Sequence, residues 1–164
     1  MLLSVRTANI VVFCVALALF LVSTSSEFFA GIQPCQLCLI TRYLYLLVVV
    51  IAAGSLRWPC VKGLVLAVLF CTFAFGVYHL GVESHWWTGP RSCVAKLPTI
   101  DTMTDELVDQ INDTKMYCDK VNWRIFGVSS TLWSCAIAAL LLWIISVAYT
   151  LDFYMRKLER AQKN

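Results

Sequence analysis

Chemistry in this chain begins with the stretch GIQPCQLCLITRY, Gly31 to Tyr43. Cys35 and Cys38 form a CxxC pair, and Arg42 follows Cys38 by four residues, which is one turn of a helix. Pro34 suits the first turn of a helix, where its missing N–H has no intrahelical partner, so the spacing predicts both thiols in that turn. Free N–H groups and the positive end of the helix dipole suit a thiolate, the form in which a cysteine attacks a disulfide. An arginine at membrane depth either snorkels to the headgroups or marks a functional site, and the CxxC beside Arg42 favours function. A second pair, Cys93 and Cys118, brackets 24 residues of polar sequence. A disulfide there would either brace the loop, contributing about 3 kcal/mol, or take part in thiol–disulfide exchange.

The elements that must position these groups are apolar. Of 164 residues, 60% are hydrophobic and only 14% charged, with a mean hydropathy of +0.75. Soluble domains carry about 25% charged residues, so the composition is that of a small integral membrane protein. Helices are expected over about 8–25, 37–56, 62–82 and 128–151 in a single transmembrane domain, with outer loops over about 26–36 and 83–127. The first span, which follows Arg6 and precedes Ser23–Ser26, has the form of a signal peptide. Apolar character resumes at Phe28 and Phe29, however, so a retained helix is the better reading. Seven basic residues fall in the three inner segments and six in the longer outer ones, which places both termini inside.

That topology sorts the eight cysteines. Cys14, Cys71 and Cys135 lie in apolar spans, where a thiol behaves as a small hydrophobe. Cys60 follows Pro59 in the inner, reducing compartment. Cys35, Cys38, Cys93 and Cys118 all fall outside, where disulfides form. Between the second pair, Met103, Leu107 and Ile111 recur at four-residue intervals, predicting a short amphipathic helix on the membrane surface. Trp86, Trp87 and Trp123 stand where that loop meets its spans, as interfacial anchors do. A four-thiolate zinc site would normally show two close CxxC arms, and only one is present, so no resident metal is expected. No basic cluster combines with aromatics on a polar face, which argues against nucleic acid as a partner.

PCQLC with Arg42 four residues on, four spans, and the stretches GVESHWWTGPRSC and CDKVNWRIFGVS resemble the bacterial disulfide bond formation protein B (DsbB) family. The resemblance implies an all-α four-helix transmembrane bundle in the bacterial inner membrane, with both termini cytoplasmic and the cysteine pairs periplasmic. It implies a thiol:quinone oxidoreductase that uses ubiquinone or menaquinone. Its partner would be a periplasmic thioredoxin-fold oxidase (DsbA-like), and electrons would pass to the quinone pool of the surrounding lipid. Carried onto this sequence, the disulfides are Cys35–Cys38 and Cys93–Cys118. Cys93 receives the partner, Cys118 relays to Cys35, Cys38 faces the quinone, and Arg42, with Glu83 or His85, contacts it. Two other readings stand beside this one. The first is a non-enzymatic tetraspan protein with structural loop disulfides, which has no need of Arg42 beside Cys38. The second is a vitamin K epoxide reductase-like enzyme, in which the loop pair precedes the CxxC rather than following it.

Overall fold

Ser4 opens the first helix, α1 (Val5–Ala30), by accepting the Arg6 N–H on its hydroxyl, and Gly31 closes it in the left-handed conformation, φ +63°. The polar patch Ser23–Ser26 does not break α1. Thr24 donates to the Phe20 carbonyl at 2.8 Å and Ser26 to that of Ser23 at 2.9 Å, so the hydroxyls are satisfied by their own helix. The fold is seen in a computed structural model that describes residues 4–31, 34–90, 93, 118, 121 and 124–163.

Three further helices follow: α2 (Gln36–Arg57), α3 (Lys62–Glu83) and α4 (Ser130–Lys163), with a 3-10 turn over Pro59–Val61 joining α2 to α3. All four helices are long and apolar enough to cross a membrane. At 34 residues α4 extends about 50 Å, well beyond the ~30 Å of hydrocarbon, and its exposed end carries Arg156, Lys157, Arg160 and Lys163. Just before α4 a small hairpin pairs β1 (Arg124–Ile125) with β2 (Val128–Ser129), Arg124 opposite Ser129. Its two turn residues, Phe126 and Gly127, both take positive φ, 52° and 79°, as a two-residue hairpin of this hand requires.

Each helix packs on its neighbours in the chain, and α1 closes the ring against α4, giving an up-and-down four-helix membrane bundle. Val12, Val48, Val65, Leu69, Leu141 and Ile145 fill its centre, all at most 2% exposed. Small residues set the close approaches: Ala8, Ala16, Ala52, Ala138 and Ala148 are buried, and Gly76 lies against Cys135. Outward-facing Val50, Phe70, Leu140 and Trp143 leave an apolar belt that suits lipid. The amphipathic helix expected around Met103–Ile111 and the anchor Trp123 lie outside the described residues.

Candidate active site

The first turn of α2 builds the thiol pair. Cys35 is the N-cap rather than a residue of the first turn, as Pro34 had suggested, and its backbone is extended (φ −68°, ψ 165°). A helix start needs an acceptor for its free N–H groups, a role usually filled by serine or aspartate. Here the Cys35 sulfur fills it, accepting the Cys38 N–H at 3.2 Å. The same geometry brings the Cys35 and Cys38 sulfurs to 2.7 Å, within easy reach of disulfide formation. The cap also offers an N–H to negative charge on the Cys35 sulfur.

The second pair lies against the first. The Cys118 N–H donates to the Cys93 carbonyl and the Cys93 N–H to that of Pro90, both at 2.8 Å. Cys35, Cys93 and Cys118, each 1% exposed, form one buried cluster with Leu37 and Val82, against which Cys38 and Phe75 pack. The Cys93 thiol points at the Gln36 amide oxygen, 3.9 Å away. A hydrogen bond to the Cys35 sulfur, reinforced by burial, pushes the Cys118 thiol well above the ordinary cysteine range. Cys118 thus shares one buried cluster with Cys35, whose sulfur stands 2.7 Å from that of Cys38.

Arg42 is held from α1. Its guanidinium pairs with Glu27 at 2.7 Å and donates to the Ser23 carbonyl at 2.7 Å and the Ser23 hydroxyl at 3.3 Å. Only 11% of the Arg42 side chain is exposed, so the cost of a cation at this depth is offset by those three contacts. The polar patch of α1 thus serves as the seat for Arg42.

Beside this pair lies a cavity of about 360 Å³ between the four helices and the hairpin, mostly apolar in lining. Its polar wall includes Ser23, Thr41, Arg42 and His79, and Cys38 opens onto it; the Tyr45 hydroxyl, bonded to Ser134 at 2.9 Å, lies deeper. Volume and lining suit a small hydrophobic ligand carrying a few polar atoms, and a quinone headgroup has that character. His79 is 4% exposed, with Nε2 3.6 Å from the Cys35 sulfur.

Glu83 and His85 are not among the residues lining the cavity. They form the close of α3. Trp86 N–H returns to the Gly81 carbonyl at 2.9 Å and His85 N–H to that of Val82 at 3.2 Å, a Schellman motif with exposed His85 in its left-handed position, φ 58°. Directly over this turn Trp87 stacks on Tyr78, and its indole N–H donates to the Tyr78 carbonyl at 3.1 Å.

By sequence His79 falls inside the third span, and no spacing rule ties it, Ser23 or Glu27 to the cysteines. Each carried a signal: a histidine in an otherwise apolar helix is itself unusual, and a buried arginine implies an acidic partner nearby.

Four membrane-length helices with two cysteine pairs gathered at one end define an integral membrane protein built around thiol–disulfide chemistry. The family model described as Disulfide bond formation protein DsbB matches residues 5–148, and the chain belongs to that family. Among curated proteins no match is found.

Proposed function

We propose that this chain is a disulfide-generating membrane thiol:quinone oxidoreductase that reoxidises a DsbA-like thioredoxin-fold oxidase in the periplasm. The observation that carries the reading is the position of Cys35, which shares one buried cluster with Cys93 and Cys118 while its sulfur stands 2.7 Å from that of Cys38, a residue opening onto an apolar cavity shared with Arg42.

The exchange balances through disulfides alone. A thiolate of the reduced partner attacks the Cys93–Cys118 disulfide at Cys93, forming a mixed disulfide and releasing Cys118. Cys118 then attacks Cys35 of the Cys35–Cys38 disulfide, releasing the Cys38 thiolate beside Arg42. The partner's second thiol resolves the mixed disulfide and departs oxidised. Cys93 reforms its bond with Cys118, leaving Cys35 and Cys38 as a dithiol that holds both electrons. A quinone, whether ubiquinone or menaquinone, would accept those two electrons together with two protons and return to the lipid pool as quinol.

The chain's own groups divide the work. Arg42 offers donors to a carbonyl oxygen and a positive charge to the Cys38 thiolate, and Glu27 and Ser23 fix its direction. His79 is placed to carry a proton between Cys35 and the cavity. The apolar walls exclude water from a thiolate that would otherwise be quenched or oxidised elsewhere. Glu83 and His85 hold the turn above this site and shape its approach from the periplasm. Both termini lie in the cytoplasm under this reading, since Arg6, Arg57, Lys62 and the basic end of α4 all sit at the end of the bundle opposite the cysteines.

The test is quinone reduction by purified protein supplied with a reduced DsbA-like oxidase. Turnover that needs both substrates and falls at least a hundredfold in Arg42→Met supports the reading. Equal rates with and without the protein would refute it.

A further inference from the structure

We propose that the reduced protein captures a thiophilic divalent cation, such as Zn²⁺ or Cd²⁺, between Cys35, Cys38 and His79. The ligand atoms of these three residues all lie within 4.8 Å of one another, the one such group of histidine, cysteine and acidic side chains among the described residues. They come from two helices and are separated by up to 44 positions, so sequence proximity does not account for the grouping.

The distances fit a tetrahedral ion. Zinc bonds of about 2.3 Å to sulfur and about 2.0 Å to nitrogen place a sulfur and a nitrogen ligand roughly 3.6 Å apart, and two sulfurs roughly 3.8 Å apart. Cys35 Sγ and His79 Nε2 already stand at 3.6 Å. The two sulfurs, at 2.7 Å, must separate by about 1 Å, and Cys38 has room to swing into the cavity that it lines.

Charge agrees with the burial. Two thiolates and a neutral imidazole around a divalent cation sum to zero, which suits a site where Cys35 is 1% and His79 4% exposed. Binding releases the two thiol protons of Cys35 and Cys38 and moves no electrons. Closing the Cys35–Cys38 disulfide removes two ligands at once. The site therefore exists only in the dithiol state, and a cation held there keeps both thiols from returning to the disulfide. The cation acts as a brake that engages only the reduced chain.

This inference is independent of the quinone reading, because the test uses neither quinone nor partner. Reduced full-length protein in detergent is freed of reductant and titrated with Cd²⁺, following the cadmium–thiolate ultraviolet absorption and bound metal per chain. One tightly bound cadmium per chain is expected, lost in Cys38→Ser, weakened at least tenfold in His79→Asn and unchanged in Cys60→Ser. On the wild-type chain, the same cadmium should shield Cys35 and Cys38 from alkylation while Cys60 still labels, as read by mass spectrometry. Undiminished binding in His79→Asn, binding by chain carrying the Cys35–Cys38 disulfide, or unshielded Cys35 and Cys38 in cadmium-loaded wild type would each overturn the proposal.

Discussion

His79 Nε2 stands 3.6 Å from the Cys35 sulfur, although the two residues are 44 positions apart on different helices. The packing of α2 on α3 brings a buried imidazole to Cys35, which lies 2.7 Å from the Cys38 sulfur and in one buried cluster with Cys93 and Cys118. His79→Asn should therefore lower quinone-dependent turnover tenfold or more. Steady-state rates measured with helix content held constant check the expectation.

His85 is different in kind. It occupies the left-handed position that closes α3, where glycine is the favoured residue, and its side chain is exposed. His85→Gly should keep turnover within about twofold and gain about 1 kcal/mol in stability by relieving the positive φ. Thermal unfolding beside the turnover assay reads both quantities.

The same turn makes a demand on Gly81. A Cβ there would fall within 2.6 Å of three atoms of the Trp87 ring. Gly81→Ala must push the indole off Tyr78 and break its hydrogen bond to the Tyr78 carbonyl, at a cost of about 1–3 kcal/mol. Tryptophan fluorescence should shift to the red, and the melting temperature should fall.

The Cys118 thiol is raised above the ordinary range, chiefly by its hydrogen bond to Cys35. A raised pKa means that the folded cluster favours the thiol, a contribution complete below the unfolded value of about 8.5 and lost as pH climbs through the higher folded value. In reduced protein, alkylation of Cys118 should lag behind that of exposed Cys60 by more than tenfold at pH 8, and the lag should narrow only as pH climbs well beyond the ordinary cysteine range. Mass spectrometry of timed samples gives both rates.

Hydropathy made the four spans legible, and spacing did the same for Cys35, Cys38 and Arg42, because membrane length and helical turn are properties of local sequence. What escaped was what depends on tertiary packing. The patch Ser23–Ser26 reads as an outer segment by polarity alone. Its hydroxyls bond back to their own helix, and only the approach of α2 shows that Ser23 and Glu27 hold Arg42. His79 looks like an isolated polar residue in an apolar run until the facing helix presents Cys35. Its neighbour along the chain, His85, draws attention by exposure and belongs to a helix stop.

Arg42 depends on that seat. Glu27→Gln leaves a hydrogen bond but removes the opposing charge, so it should raise the quinone KM several-fold while changing kcat little. Arg42→Lys, which cannot form the same fork, should impair both. A steady-state series in quinone concentration separates the two outcomes.

The central claim is that electrons leave through Cys38, and the most direct measurement is the stoichiometry of Cys38→Ser, isolated with its Cys93–Cys118 disulfide formed. Mixed with excess reduced partner and quinone, this variant should oxidise one partner dithiol per chain and then stop, with no quinol formed. Continued partner oxidation accompanied by quinol in Cys38→Ser would contradict the account.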